Sequence, residues 1–359
     1  KTKDFLNIKI RATDHMADDL KKKGLGVEYK TVESDLKFNG HFDLCWKAFF
    51  LIMRNFFVFF IPASDDFEEK NVVYATSDLF WEVIPAYISK TKNKKVEWVQ
   101  VIHHVYPDWK KRPGKKIIGF FGRCLQNFSF FLIKNKADKI ILMNQVTKKY
   151  LLKKGFDEKK ISISSNGIDL EYLNSFQESG CSFEGIFLGR LNPSKGIYDL
   201  VKIWKKVSRK LPKARLAIIG GVERNIKEEL EKKINGSGLR DNIEIMGFLD
   251  DEKGYGILKQ GKVFIFPSHE EGWGIAILEA MACGLPVVSW NLPVYSEIFG
   301  NHTFQIEEND MESFSKKVLE ILENPNFQEK IKARGKEFAT RYSWDNVAKR
   351  ELEIIKIMK

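Results

Sequence analysis

Cysteine is scarce in this chain of 359 residues, and nothing in its placement would organise a metal or a disulfide. Cys45, Cys124, Cys181 and Cys283 are scattered, with no C-x-x-C and no paired spacing. That argues against a disulfide framework or a zinc site and for a reducing compartment. No apolar run reaches the roughly 18 residues that a spanning helix needs. The nearest, Phe49 to Ile61, is broken by Arg54 and Asn55. Internal repeats and low-complexity tracts are missing too, as are zinc-finger spacing, an RNA-binding signature and a basic heptad array. Those absences make nucleic acid the weaker explanation of a basic chain.

The composition that remains, 43% hydrophobic and 30% charged, is that of a soluble globular protein long enough for two domains. The net charge of +11 is unevenly spread: Lys90 to Lys160 holds 19 Lys/Arg against 5 Asp/Glu, so the rest of the chain is slightly acidic. A basic region of this kind fits nucleic acid, an anionic membrane or an acidic substrate.

The most informative stretch runs from Val263 to Trp290, VFIFPSHEEGWGIAILEAMACGLPVVSW. The apolar run Val263 to Phe266 reads as a strand, the turn holds Gly272 and Gly274, and a helix is expected from Ile275 to Cys283. Gly284 and Pro286 end that helix before the next strand. A parallel strand, a glycine turn and a helix make an anion site, because the first helical N–H groups are unpaired and the dipole is positive there. Glu271 stands before the turn and Glu279 inside the helix. Alone, each is an ordinary loop or surface acid. Glu279, however, is flanked by Ile275, Ala276, Ile277, Leu278, Ala280, Met281 and Ala282, and a charge within such a helix needs a partner. Carboxylates accept hydrogen bonds from diols, so two acids beside a phosphate pocket suggest a nucleotide sugar.

The pattern Glu271, Gly272, Gly274, Glu279, Ala280, Met281, Ala282, Gly284, Pro286, Val287, Val288 resembles the donor-site signature of retaining glycosyltransferases of the GT-B fold, family 4. The resemblance implies an α/β architecture: two Rossmann-like, doubly wound parallel-sheet domains facing across a cleft. We expect an acceptor domain at 1–174, a donor domain at 175–338, and a helix at 339–359 that crosses back to the first domain.

Elsewhere, apolar strands alternating with helices support parallel sheets. Phe5 to Ile10 reads as a first strand, Asp14 to Gly24 as a helix and Val27 to Val32 as a second strand. Between Ile10 and Asp14 stands only Arg-Ala-Thr, where the family carries a glycine-rich loop, and the chain does not begin with Met. Residues 42–61 are dense in aromatics and read either as a core helix or as a surface dipping into a bilayer interface. Strands are expected at 71–76 and 96–102. The second ends at His103 and His104, on the ligand-binding edge of such a sheet. A His there is commonly a structural hydrogen-bonder. The family often places one in the cleft, and His103 matches that position better than His104. Lys110, Lys111, Arg112, Lys115 and Lys116 precede an aromatic helix containing Phe120, Phe121, Phe128, Phe130 and Phe131. That juxtaposition suits an anionic membrane surface, at about 1 kcal/mol per cation, or else is a solvated loop ahead of a core helix.

The second domain opens with a strand at 183–188, then Gly189, Arg190 and Lys195-Gly196, followed by a helix. Arg190 by its fork and Lys195 as a point charge can hold a diphosphate, and G-R-x-x-x-x-K-G is the family's spacing. The loop Gly247-Phe248-Leu249 matches the family's nucleobase wall, with Phe248 either stacking on the base or lying in the core. YSEIF and FQIEEND should finish the sheet, and residues 311–359 should be helical with caps near Asp310 and Ser343.

The resemblance therefore implies a metal-independent, retaining hexosyltransferase without a cofactor. Its substrate would be a UDP- or GDP-linked sugar and its acceptor a lipid-linked or membrane-surface glycan. Glu271, His103, Arg190 and Lys195 would be catalytic, and Gly189, Gly247, Phe248, Gly272, Trp273, Gly274, Ile275 and Glu279 would complete the donor pocket. Cationic side chains would replace a metal, and the chain has no D-x-D that would suggest one. A cytoplasmic protein, peripheral on the inner face of the membrane, is expected. The alternatives are a non-catalytic partner protein of the same fold, a sugar-nucleotide epimerase, or a nucleic-acid binder.

Overall fold

A computed structural model of the chain describes residues 9–13, 28–32, 72–106, 116–178, 180 and 182–358, with 9–13, 28–32 and 116–118 described by their backbone. The short strands β1 (Lys9–Thr13) and β2 (Glu28–Val32) pair in parallel. β1 overlaps the expected first strand at Lys9 and Ile10, and residues 5–8 of that expectation lie outside the described residues. The helix expected at 14–24, the aromatic segment 42–61 and the basic loop up to Lys115 lie outside the described residues.

The first domain's main sheet has four parallel strands in sequential order: β3 (Val72–Ala75), β4 (Glu97–Ile102), β5 (Lys139–Leu142) and β6 (Ile161–Ile163). They are joined by helices α1 (Phe80–Lys92), α2 (Lys116–Lys136) and α3 (Gln145–Lys153). Strand β4 is buried from Trp98 onward, as a strand covered on both faces must be. A short helix, α4 (Leu170–Ser175), begins the passage to the second domain.

There the sheet contains β7 (Gly185–Leu188), β8 (Leu216–Ile219), β9 (Ile243–Gly247), β10 (Val263–Phe266), β11 (Val287–Trp290) and β12 (Phe304–Ile306), all parallel in the order β12-β11-β10-β7-β8-β9. Helices α5 (Ile197–Lys210), α6 (Arg224–Gly236), α7 (Asp251–Gln260), α8 (Ile275–Ala282), α9 (Pro293–Ile298) and α10 (Met311–Leu322) connect and cover them. Strand order reverses between β7 and β10, where Gly185 and Ile186 pair with Val263 and Phe264. Open α/β sheets bind ligands in the crevice outside such a switch point.

The segment YSEIF is helical rather than a strand. Pro293 at the first helical position presets φ. Val294 and Tyr295, buried, recur at Ile298 and Phe299, a spacing of helical period. Helices α11 (Pro325–Ala339) and α12 (Trp344–Lys356) close the chain, and Asp310 and Ser343 cap their helices as expected. Helix α12 returns to the first domain, where the Tyr74 hydroxyl donates to Glu351 at 2.6 Å. Among the described residues, no helix is long and apolar enough to cross a membrane.

Candidate functional site

Two loops meet at the switch point. The loop after β7 carries Gly189 and Arg190, then a single turn of 3-10 helix, Pro193–Lys195, capped by Asn192. The loop after β10 runs from Pro267 to Gly274. Lys195 Nζ lies 2.5 Å from Glu271 Oε1 and donates to the Glu270 carbonyl at 3.1 Å. Ser268 Oγ donates to the same Glu271 oxygen at 3.3 Å. An ion pair that is neither fully buried nor fully wet therefore joins the two loops, with side chains 19% and 13% exposed. Arg190 stands apart, exposed, with no ion-pair partner among the described residues.

Gly274 begins α8 in the left-handed region, at φ 103°, where a side chain is strained. A Cβ there would also lie 3.0 Å from the Tyr295 ring. Because Gly274 offers no side-chain cap, the first-turn N–H groups of α8 are available to an anion. Ile275, exposed at 41%, can wall the pocket. Trp273 cannot contribute its ring: it is buried against Phe299 and Tyr342, so only its backbone can serve the site. Its large apolar area is worth more in that aromatic cluster than beside an anion.

The partner that Glu279 requires is Tyr255 of α7, whose hydroxyl donates to Oε1 at 2.7 Å. Burial raises the Glu279 carboxyl above its usual range, helped by the charge of Asp251 and opposed by the Tyr255 hydrogen bond. Gly247 takes φ 71° at the end of β9, and its carbonyl accepts from Gly220 at 2.7 Å. Phe248 is 84% exposed, which excludes the core and leaves its ring presented to solvent at the same sheet edge.

The first domain reaches this site and its surroundings through four contacts. Gly272 is where the two domains approach: a Cβ there would meet the His103 carbonyl at 2.7 Å and the His104 Cβ at 2.9 Å. His104 Nε2 is 3.1 Å from Glu270 Oε1. Asn144 caps α3 through the Thr147 N–H at 2.7 Å and donates its amide to the Gly272 carbonyl, also at 2.7 Å. Glu297 of α9 accepts the first N–H groups of α3, from Gln145 at 2.6 Å and Val146 at 3.0 Å, a carboxylate at a helix N-terminus. The two adjacent histidines take different surroundings. His103 Nε2 lies 2.8 Å from the Thr76 carbonyl, which can only accept, so Nε2 carries the proton. His103 is exposed at the cleft edge, and His104 is the histidine that touches the second domain.

His269, two residues before Glu271, braces the loop. Its Nε2 is 2.9 Å from Asp199 and its Nδ1 contacts Glu308. The hydrogen bond to Asp199, followed by that to Glu308, raises the imidazole above its ordinary value of 6.5. Burial works against the charge of Asp199, but the hydrogen bonds from His269 and Lys202 outweigh it and hold that carboxyl low. The stability from the raised histidine is complete below pH 6.5 and is lost as pH rises through its folded value. The part from Asp199 is lost only as pH falls through its own depressed value. We expect His269→Gln to destabilise the protein in mildly acidic solution and to converge on wild type in alkali, as urea midpoints at the two pH values will show. A constant difference would mean that the brace is not ionic.

Among the described residues no group of three or more His, Cys, Asp or Glu can hold a metal ion. Tyr255, Ser268, Glu270, His269, Asn144 and Glu297 were not singled out from the sequence.

Several known proteins are similar to this chain. Residues 177–338 match the family model described as glycosyl transferases group 1. The O-antigen chain mannosyltransferase B of Escherichia coli is 27% identical over 205 residues, covering 55% of this chain and 54% of that protein. The phosphatidylinositol N-acetylglucosaminyltransferase gpi3 subunit of Schizosaccharomyces pombe is 26% identical over 211 residues, covering 56% of this chain and 44% of that protein. The chain thus spans about half of each of these relatives. Among solved structures, Anabaena Alr3699/HepE in complex with UDP and glucose superposes with TM-score 0.73 at 17% identity, over 97% of this chain and 91% of that one. Sucrose-phosphate synthase from Thermosynechococcus elongatus gives 0.72 at 16% identity, over 92% and 83%. The chain therefore has the GT-B fold, and its second domain is similar to the group 1 glycosyl transferases.

Proposed function

We propose that this protein is a retaining glycosyltransferase that moves a hexose from a UDP- or GDP-linked sugar to the hydroxyl of a lipid-linked or membrane-surface glycan. The observation that carries the reading is the Lys195–Glu271 pair, set at the switch point beside the uncapped start of α8. A diphosphate entering there meets Lys195, Arg190 and the α8 N–H groups, which neutralise the charge that grows on the leaving group. Glu271 keeps one oxygen for sugar hydroxyls while Lys195 and Ser268 hold the other. Glu279, steadied by Tyr255, faces the ribose hydroxyls, and Phe248 offers a ring to the base. Support comes also from the Anabaena structure, which holds UDP and glucose.

The chemical step is a displacement on one face of the sugar. The bond from the anomeric carbon to the phosphate oxygen breaks, the bond to the acceptor oxygen forms, and the acceptor proton passes to the departing phosphate oxygen. No step requires a metal, and Glu271 orients the sugar without forming a covalent intermediate. The test is incubation with UDP- and GDP-hexoses, following nucleoside diphosphate release and the anomeric configuration of the product by NMR. Retention is expected. Inversion, no consumption of any nucleotide sugar, or a glycosyl-enzyme seen by mass spectrometry would each defeat the proposal.

A further inference from the structure

Tyr295 on α9 is fully buried, at 0% exposure. Its ring packs against Phe299, centroids 6.0 Å apart, and against the start of α8, where Gly274 leaves room for it. The hydroxyl is less well provided for: among the described residues it has no hydrogen-bond partner. A buried donor left unpaired costs stability, and phenylalanine would fill the same space without that cost. Packing therefore accounts for the ring and leaves the hydroxyl unexplained.

What surrounds the hydroxyl is the loop after β10. Burial first, and then the charge of Glu271, pushes its pKa well above the ordinary tyrosine value, while nearby Ser268 opposes the shift. Tyr295 therefore stays protonated and is a donor. Ser268, also buried, has one proton and three acceptors around it: the Glu270 carbonyl at 3.1 Å, Glu271 Oε1 at 3.3 Å and the Ser194 carbonyl at 3.4 Å. Each distance exceeds that of a well-made hydroxyl bond, so the Ser268 hydroxyl is loosely held. Its oxygen receives the Glu270 N–H at 3.4 Å and has a second lone pair to offer. The strong bond to Glu271 Oε1 comes from Lys195.

We propose that Tyr295 is a positioning residue, whose hydroxyl donates to Ser268 Oγ once a diphosphate shares Lys195 with Glu271. As the hold of Lys195 loosens, Glu271 becomes the strongest acceptor beside Ser268 and draws the Ser268 hydroxyl onto its carboxylate. The Ser268 oxygen then accepts from Tyr295. Hydrogen bonds rearrange, and no covalent bond forms or breaks. The hydroxyl that is unpaired beforehand is thus satisfied in the diphosphate complex, and Glu271 keeps its place beside the sugar. This rests on the diphosphate reading of the Lys195–Glu271 pair.

Calorimetric titration of Tyr295→Phe with UDP, GDP and their free nucleosides tests it, beside urea unfolding of the same variant. Diphosphate affinity should fall about threefold to tenfold, the scale of one net hydrogen bond. Nucleoside affinity should not change, because a nucleoside leaves Lys195 on Glu271. The urea midpoint without ligand should rise, since an unsatisfied buried hydroxyl has been removed. Ser268→Ala should also weaken the diphosphate, and adding Tyr295→Phe to it should cost nothing more, because the hydroxyl acts through Ser268. Diphosphate binding equal to wild type, an equal loss for nucleoside and diphosphate, or a lowered midpoint would overturn this proposal alone. A wild type that binds neither diphosphate more tightly than its nucleoside would overturn the diphosphate reading and the proposal with it.

Discussion

Lys195→Ala should lower kcat/KM for the nucleotide sugar by about 10²–10³-fold, the scale seen when one preorganised donor to a developing negative charge is removed. Two losses combine. The leaving diphosphate is deprived of a cation, and Glu271, only 13% exposed, keeps Ser268 alone on the oxygen it shared with Lys195. A carboxylate left without its counter-charge in a partly desolvated site repels the incoming diphosphate as well. Both KM and kcat should therefore move, with kcat carrying more because charge grows on the phosphate in the transition state. Lys195→Arg should recover part of the rate, since it restores charge without the point geometry. Steady-state kinetics decide it, and a Lys195→Ala enzyme within threefold of wild type would show that the ion pair is a structural clasp only.

The second large effect belongs to Gly196, which follows Lys195 directly. Its φ is 71°, and a Cβ there would sit 1.8 Å from the Pro267 carbonyl oxygen. Alanine must therefore take a left-handed conformation and push the β7 and β10 loops apart at the place where Lys195 meets Glu271. Strain and overpacking together should cost about 2–4 kcal/mol of stability, and donor binding should fail along with it. Gly221→Ala is the control: its added Cβ meets nothing within 4 Å and its φ is ordinary, so its cost should stay within about 0.5 kcal/mol. Urea unfolding of the two variants tests the contrast, and a Gly196→Ala protein as stable as the control would show that the loops are not packed as described.

These loops were legible because local signals agree. A buried apolar strand, a glycine turn and a helix specify the β10–α8 unit, and the Gly189, Arg190, Lys195 spacing specifies its neighbour. What escaped is what depends on which distant element packs where. The partner of Glu279 was called for by its apolar flanks, but Tyr255 lies 24 residues upstream on another helix. His103 and His104 follow one another at a strand end, so their side chains diverge, and only the packing of the second domain, which sets Glu270 against His104, shows which of them meets it. Trp273 reads as part of the pocket by its place in the motif, yet the aromatic cluster around Phe299 takes the ring. Composition alone leaves helix α2 between core and exposed surface, and Phe121, Phe128 and Phe131 lie outward, opposite the bonds of Gln126.

The central claim is that the Lys195–Glu271 junction is a diphosphate site. Calorimetric titration of UDP and GDP, each beside its free nucleoside, into wild type and Lys195→Ala tests it most directly. One diphosphate should bind at least about tenfold more tightly than its nucleoside, a difference of about 1.4 kcal/mol, and Lys195→Ala should erase most of that gap. Equal binding of nucleoside and diphosphate, or a gap unchanged by the substitution, would contradict the account.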